Sequence, residues 1–218
     1  MTKIKIIGFD LDGTLYKATP EIERIQKRKI YEKISDFFNI NIETAERLFE
    51  SNYRELNSGT RTLERIAKKC GKPLTNPDFI QEALREANFL RFIQPDRKLI
   101  GLFERLSRKY PEGLDLLTGS KYDLTIKKLK KLGINPSSFK VLLTDEDGSK
   151  ISGNLYDKWI EMRKSLGGFS PKSFLYVGDN IRSDIISPSR FGIQTCYLGK
   201  SKKANYSIQT IFDLEKIV

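Results

Sequence analysis

Histidine does not occur among the 218 residues. Its absence excludes Ser-His-Asp triads, a histidine-ligated zinc and any histidine general base, so acid-base work falls to carboxylates, lysine, tyrosine or cysteine. Cysteine is nearly absent as well. Cys70 and Cys196 are the two present; they fall in different predicted domains and outside any Cys-x-x-Cys or Cys/His pattern, so both read as thiols without chemistry. No apolar run approaches the ~20 residues that span a bilayer. No secretory leader with a cleavage-site pattern precedes the first predicted strand, and a soluble cytoplasmic protein is the expectation. Internal repeats, low-complexity tracts and long linkers are missing too.

What is present describes a globular chain. Hydrophobic residues make up 39% and charged residues 31%, a balance that argues against disorder, and the length suffices for one good core plus a smaller appended unit. The net charge of +11 favours anionic ligands. Its distribution argues against nucleic acid: lysine and arginine interleave with glutamate over residues 21–33 and crowd into the KKLKK run at 127–131, as solvated helix faces do. No zinc-finger, RNA-recognition or helix-turn-helix pattern accompanies them. A small phosphorylated substrate fits the charge better than a duplex.

The stretch that organises the chain is IKIIGFDLDGTLY, residues 4–16. Ile4, Ile6, Ile7 and Phe9 predict a strand buried on both faces, with Asp10 where it stops. Side chains alternate along a strand, so Asp10 and Asp12 share a face if the extended conformation persists, and Gly13 lets the chain turn away. Two neighbouring carboxylates imply either a divalent cation such as Mg²⁺ or a raised pKa on one of them. An Asp-Gly turn after a core strand is the plainer alternative.

After Tyr16 the pattern becomes helical for about eighty residues. Pro20, Glu21 and Glu23 open a helix whose apolar stripe runs through Ile22, Ile25, Ile30, Ile34 and Phe37. A second helix starts at 41–44 and carries Ala45, Leu48, Phe49 and Tyr53; residues 57–62, NSGTRT, predict a polar loop; a short helix covers 63–69 and stops at Gly71; Asn76-Pro77-Asp78 opens another through Ala87. From Asp96 strands and helices alternate: helices at 99–109, 122–132 and 155–166, strands at 114–117, 140–143, 174–177 and 193–198, then a surface turn and a short terminal helix. Such alternation predicts an α/β fold, a doubly wound parallel sheet covered on both faces, with ligands at the carboxyl ends of the strands.

Two later stretches sit at such ends. Leu117-Thr118-Gly119-Ser120 offers a hydroxyl and free amides ahead of a helix, a set that can hold phosphate oxygens, though a Thr-Gly turn is often only a turn. Val177-Gly178-Asp179-Asn180, with Asp184 following, places a carboxylate where it can complete an oxygen shell for Mg²⁺ with Asp10 and the backbone carbonyl of Asp12. The Asp145-Glu146-Asp147-Gly148 stretch reads as an exposed acidic turn.

Residues 7–16 resemble the first motif of the haloacid dehalogenase-like hydrolases, an apolar strand followed by Asp-x-Asp-x-Thr, and residues 116–120 and 177–184 are similar to the second and fourth motifs, in the same order. The resemblance implies a Rossmann-like core over 1–16 and 96–218 with an inserted α-helical cap over 17–95. It implies Asp10 as nucleophile, Asp12 as acid and then base, Thr118 with Gly119 and Ser120 at the phosphate, Mg²⁺ held through Asp10, Asp12 and Asp179, and Asp184 in support; Asp184 as a helix cap is the alternative. Dehalogenase members lack the second aspartate, so Asp12 points to phosphoryl transfer. The family's Lys-Pro pair is missing here. Lys150 fits the spacing from one side and Lys158 from the other; Lys150 is the first choice. The SGTRTL segment and FDLDGTLY are loosely similar to the pyrimidine 5'-nucleotidase-like branch, in which residues 57–62 would be a cap loop and Tyr16 and Lys17 the hinge. The implied activity is Mg²⁺-dependent hydrolysis of a small phosphate monoester, possibly a nucleotide, through an aspartyl-phosphate. A phosphomutase on the same core and a non-catalytic nucleic-acid-binding protein are the alternatives.

Overall fold

The computed structural model describes residues 3–56, 58–76 and 78–218. They divide into two compact units: residues 1–18 with 93–218 form one, residues 19–92 the other. Among the described residues no helix is long and apolar enough to cross a membrane.

The first unit is built on strands β1 (Ile6–Phe9), β2 (Leu114–Leu117), β3 (Phe139–Leu143), β4 (Phe174–Gly178), β5 (Gln194–Leu198) and β6 (Tyr206–Ile208). Among the described residues they form one six-stranded sheet in the order β3-β2-β1-β4-β5-β6, parallel throughout. The chain leaves β1 toward β2 and β3 on one side and returns to β4, β5 and β6 on the other, so the crevice between the carboxyl ends of β1 and β4 is the topological switch point. The sheet is flanked by helices α5 (Arg97–Lys109), α6 (Tyr122–Leu132) and α7 (Asn154–Gly167). The tail reading missed β6. Its three residues are too few to show a period, and the Asn205 side chain ties this edge to β5 by accepting from the Thr195 amide at 2.8 Å.

Alternation along β1 sorts its two faces. Ile6 joins Leu117, Val141, Leu155, Tyr156, Trp159, Phe174 and Tyr176 in one core, while Phe9 meets Phe103 of α5 on the other face at 5.1 Å between ring centroids. Gly8 is required here, because a Cβ would lie 2.6 Å from the Trp159 ring. Burying side chains of this size stabilises the unit by ~1.5–3 kcal/mol each. The same core holds a charged group: Asp115, in the middle of β2, accepts from Arg163 Nε at 2.7 Å, Trp159 Nε1 at 2.6 Å and the Val141 amide at 2.9 Å. All its bonds come from neighbouring elements, which is how a fully buried carboxylate is tolerated.

The second unit is helical: α1 (Pro20–Phe38), α2 (Ile42–Leu56), α3 (Gly59–Cys70) and α4 (Phe79–Glu86). Its core gathers Ile30, Ile34, Phe38, Ala45, Phe49, Leu63, Ile66, Phe79 and Ala83, residues on the apolar stripes of the four helices. Thr19 caps α1 by accepting the Ile22 amide. The loop expected at 57–62 is shorter than that: Ser58 accepts the Arg61 amide and α3 begins at Gly59, so Gly59 to Thr62 are helical. A serine cap overrode the polar composition that had suggested a loop. Asn57 lies outside the described residues, as does Pro77, and nothing is assigned to them. A second difference concerns α7: its cap is Gly153, with φ 98°, while Asn154 starts the helix and turns its side chain back to accept from the Ser149 amide at 2.7 Å.

Candidate active site

Asp10, Thr118 and Asp179 each lie directly after a strand's carboxyl end in the sheet unit. Asp10 follows β1, its amide bonded to the Val177 carbonyl of β4, and its side chain is buried. Lys150, in the segment between β3 and α7, reaches Asp10 Oδ1 at 2.5 Å and Asp184 Oδ1 at 2.8 Å. Asp184 lies in a π-helical turn, Ile181–Ile186, that follows β4; it is fully buried and also accepts from the Asn180 amide and the Ser183 hydroxyl. Asp184 is thus committed to the lysine and to its own turn. Lys158 stands elsewhere: it is exposed on α7 and pairs with Asp147 at 2.6 Å. Asp147 in turn accepts the Thr144 amide, which accounts for the acidic turn as a local cap.

Asp12 does not share Asp10's surroundings. Its carboxylate takes Lys128 Nζ on both oxygens, at 2.6 and 2.8 Å, the Ser120 hydroxyl at 2.9 Å and the Tyr16 hydroxyl. β1 ends at Phe9, and Leu11, between the two aspartates in sequence, is buried in the core, as is Leu15. The two carboxylates still feel each other's charge, but each meets its own ammonium. Lys128 belongs to the run read as a solvated face, yet it is 1% exposed. Its helix buries Leu124, Thr125, Lys128, Leu129 and Leu132, so the helical period had placed Lys128 on the buried stripe and the local charge had masked it.

Thr118 is fully buried at the end of β2, where its hydroxyl accepts the Ser120 amide at 3.1 Å; Gly119 lies between them. The Ser120 hydroxyl is engaged with Asp12 and Lys128. Thr14 sits within 3.5 Å of Asp10 Oδ2.

The electrostatics divide the two aspartates. Burial pushes Asp10 from 3.8 up to about 8, with Asp184 adding to the rise and Lys150 opposing it. Burial acts on Asp12 in the same direction, but the Lys128 ammonium and three hydrogen bonds outweigh it and hold the carboxyl below its ordinary value. Burial and the Asp184 carboxylate push Asp179 up to about 6. One oxygen each from Asp10, Asp179 and Asp184 lie within 4.8 Å of one another. Three carboxylates against one ammonium leave excess negative charge, and an all-oxygen set suits a hard divalent cation. Gly13 preserves that arrangement: with φ 81°, its Cβ would fall 2.0 Å from Asp179 Oδ2. The residues present therefore fit a divalent cation.

A family model described as haloacid dehalogenase-like hydrolase matches residues 4–192, which takes in β1, the helical unit and β4. The chain belongs to the haloacid dehalogenase-like hydrolases. The chain is 26% identical over 228 residues to the glyceraldehyde 3-phosphate phosphatase of Methanocaldococcus jannaschii, covering 99% of this chain and 96% of that protein. It is 30% identical over 137 residues to phosphate metabolism protein 8 of Saccharomyces cerevisiae, covering 60% of this chain and only 40% of the yeast protein. A haloacid dehalogenase-like phosphatase from Thermococcus onnurineus has the same fold, with a TM-score of 0.70, 22% identity and coverage of 98% and 97% of the two chains. In this haloacid dehalogenase-like hydrolase Lys150 occupies the neighbourhood of Asp10 without the family's Lys-Pro pair.

Proposed function

We propose that this hydrolase cleaves small phosphate monoesters through an aspartyl-phosphate on Asp10, with Asp12 as proton donor and acceptor. The observation that carries the reading is the pairing of Asp10 with Lys150 at the switch point, beside Asp179 at the end of β4. In the first step a carboxylate oxygen of Asp10 bonds to phosphorus while the ester P–O bond breaks, and the leaving oxygen takes a proton from Asp12. In the second, water gives a proton to Asp12 and bonds to phosphorus, and the bond to Asp10 breaks to restore the carboxylate. Lys150 neutralises charge gathering on the phosphoryl oxygens, and Thr118 with the amides that follow β2 holds them. Asp10 and Asp179 would hold Mg²⁺, with the backbone carbonyl of Asp12 as a further oxygen donor and Asp184 behind Lys150. The cation would supply Lewis-acid neutralisation of the phosphoryl group.

We assign substrate choice to the helical unit, which is inserted in the chain between the strand of Asp10 and the strand of Thr118. The name of the archaeal relative puts triose phosphates on the panel of candidate esters, and the looser likeness to pyrimidine nucleotidases adds nucleotides. The test is phosphate release from triose phosphates, sugar phosphates, nucleotides and 4-nitrophenyl phosphate, with Mg²⁺ and with chelator, by the parent protein and Asp10→Asn. Metal-dependent release that disappears in Asp10→Asn supports the reading. Equal release by the two proteins refutes it.

A further inference from the structure

We propose that Lys128 is a positioning residue for Asp12, fixing the carboxyl group where it can take the proton of the water that attacks the phosphorylated Asp10. The inference rests on the acid-base role given to Asp12 above and adds a residue that no motif supplies.

The geometry is specific. Lys128 Nζ touches both oxygens of Asp12 and the Ser120 hydroxyl, at 2.6, 2.8 and 2.7 Å. Its side chain is 2% exposed whereas that of Asp12 is 40% exposed. The carboxylate is therefore held from behind by a buried cation and open on another side. A carboxylate has free rotation about χ2 unless its oxygens are engaged, and here Lys128 bridges both while Ser120 and Tyr16 take one each. Burying an ammonium costs stability unless it is paired, and a solvated lysine on the outer face of α6 would serve solubility equally well. The sequence places a lysine on the buried stripe of α6 although its neighbours Lys127, Lys130 and Lys131 already supply charge.

The consequence is a split between the two half-reactions. With 4-nitrophenyl phosphate the leaving group departs with little proton assistance, so forming the aspartyl-phosphate makes small demands on Asp12. Its hydrolysis needs the carboxylate in place. In Mg²⁺, Lys128→Met is expected to release nitrophenolate in a burst of about one equivalent per site and then to turn over ~10–100-fold more slowly than the parent, the scale of a displaced catalytic group. kcat/KM should change by less than ~3-fold, KM falling together with kcat, because the variant slows only the hydrolysis that follows formation of the aspartyl-phosphate. Steady turnover within ~3-fold of the parent overturns the proposal, and so does an equal fall of burst and steady rate.

A double-mutant cycle covers the case in which Lys128→Met fails to fold. Asp12→Asn/Lys128→Met removes both charges together, and it is compared with Asp12→Asn alone. Equal turnover shows that Lys128 acts only through Asp12; a further loss shows that it acts otherwise and overturns the proposal. Failure of the underlying reading looks different, because Asp12→Asn would then turn over as fast as the parent.

Discussion

Replacing Lys150 with methionine removes the cation that pairs with the buried Asp10 and Asp184 beside the half-buried Asp179, and keeps most of the side chain's volume. The ammonium makes charge-assisted hydrogen bonds to Asp10 at 2.5 Å and Asp184 at 2.8 Å. At ~1.5–3 kcal/mol each these two come to ~3–6 kcal/mol, in line with the ~3–5 kcal/mol lost when a buried pair loses one partner. Protonation limits the loss. Asp10 and Asp179 titrate near about 8 and about 6 in the folded chain, above the ordinary 3.8, and Lys150 opposes both rises. Without it both values climb further, so the variant's extra penalty appears as pH rises through 6 and again through 8. Trp159 is the sole tryptophan and is fully buried in the sheet unit, so its fluorescence reports unfolding of that unit in denaturant. In chelator at pH 8.5 the expected loss is ~3–5 kcal/mol, with a smaller loss at pH 5. Turnover with Mg²⁺ should fall ~10²–10³-fold, as when a donor to a developing oxyanion is removed. Lys158→Met, on the exposed face of α7, should leave turnover unchanged. A Lys150→Met protein that retains turnover within ~3-fold, or whose stability loss is below ~1 kcal/mol and flat in pH, refutes the assignment of Lys150.

Chelated parent protein should become less stable as pH rises from about 4 to 8. Asp10 and Asp179 have folded pKa values above 3.8, so the folded state binds more protons across that window, and Mg²⁺ should suppress the fall; Trp159 fluorescence at pH 5 and pH 8, with and without the ion, checks it. Arg163→Met strips Asp115 of its guanidinium and should cost ~3–5 kcal/mol at pH 7. Burial already holds Asp115 above its ordinary value, so losing Arg163 raises it further and the cost should shrink toward pH 4; denaturation at the two pH values tests the sign. Gly13→Ala should displace Asp179, because the new methyl would lie 2.0 Å from Oδ2 and φ 81° disfavours any side chain; weaker Mg²⁺ dependence of phosphate release, as a higher half-saturating Mg²⁺ concentration, is the readout.

The sheet and its switch point were legible because a parallel strand buried on both faces announces itself: Ile6 to Phe9, Leu114 to Leu117 and Phe174 to Gly178 are nearly unbroken apolar runs bounded by the residues that turn the chain. Asp10, Thr118 and Asp179 could be placed because each follows such a run directly. What sequence could not resolve was any relation made by tertiary approach. Lys150 lies 140 residues from Asp10 and in no regular element, so spacing alone left Lys158 in contention. Lys128 and Arg163 were hidden for a related reason. A charged residue on a helix is ordinarily solvated, and only its coincidence with the apolar stripe marks it as buried; for Arg163, four residues after Trp159, the partner Asp115 lies inside a strand otherwise made of leucine. Helix starts were blurred where a cap replaced a loop, as at Ser58.

Asp10 and Asp12 are two residues apart, yet their environments push them in opposite directions, and the direction is instructive. Asp10, the proposed nucleophile, is the one whose carboxyl holds its proton up to about 8, whereas Asp12, the proposed acid, is held as a carboxylate. For phosphoryl transfer the first step needs the reverse. Burial is the larger reason, and charge adds to it: Asp184 and Asp12 raise Asp10, and Lys150, which opposes them, is shared with Asp184. Adding positive charge among the oxygens of Asp10, Asp179 and Asp184 lowers Asp10 directly. The raised Asp10 disfavours attack on phosphorus in the metal-free chain, and a divalent cation among these carboxylates would lower it. Asp179→Asn gives that argument a consequence in the absence of metal. Asp179 itself is raised to about 6 in the folded chain, so chelated Asp179→Asn should lose less stability between pH 5 and pH 8 than the chelated parent. An equal or greater loss would mean that Asp179 does not carry a raised value in the folded chain.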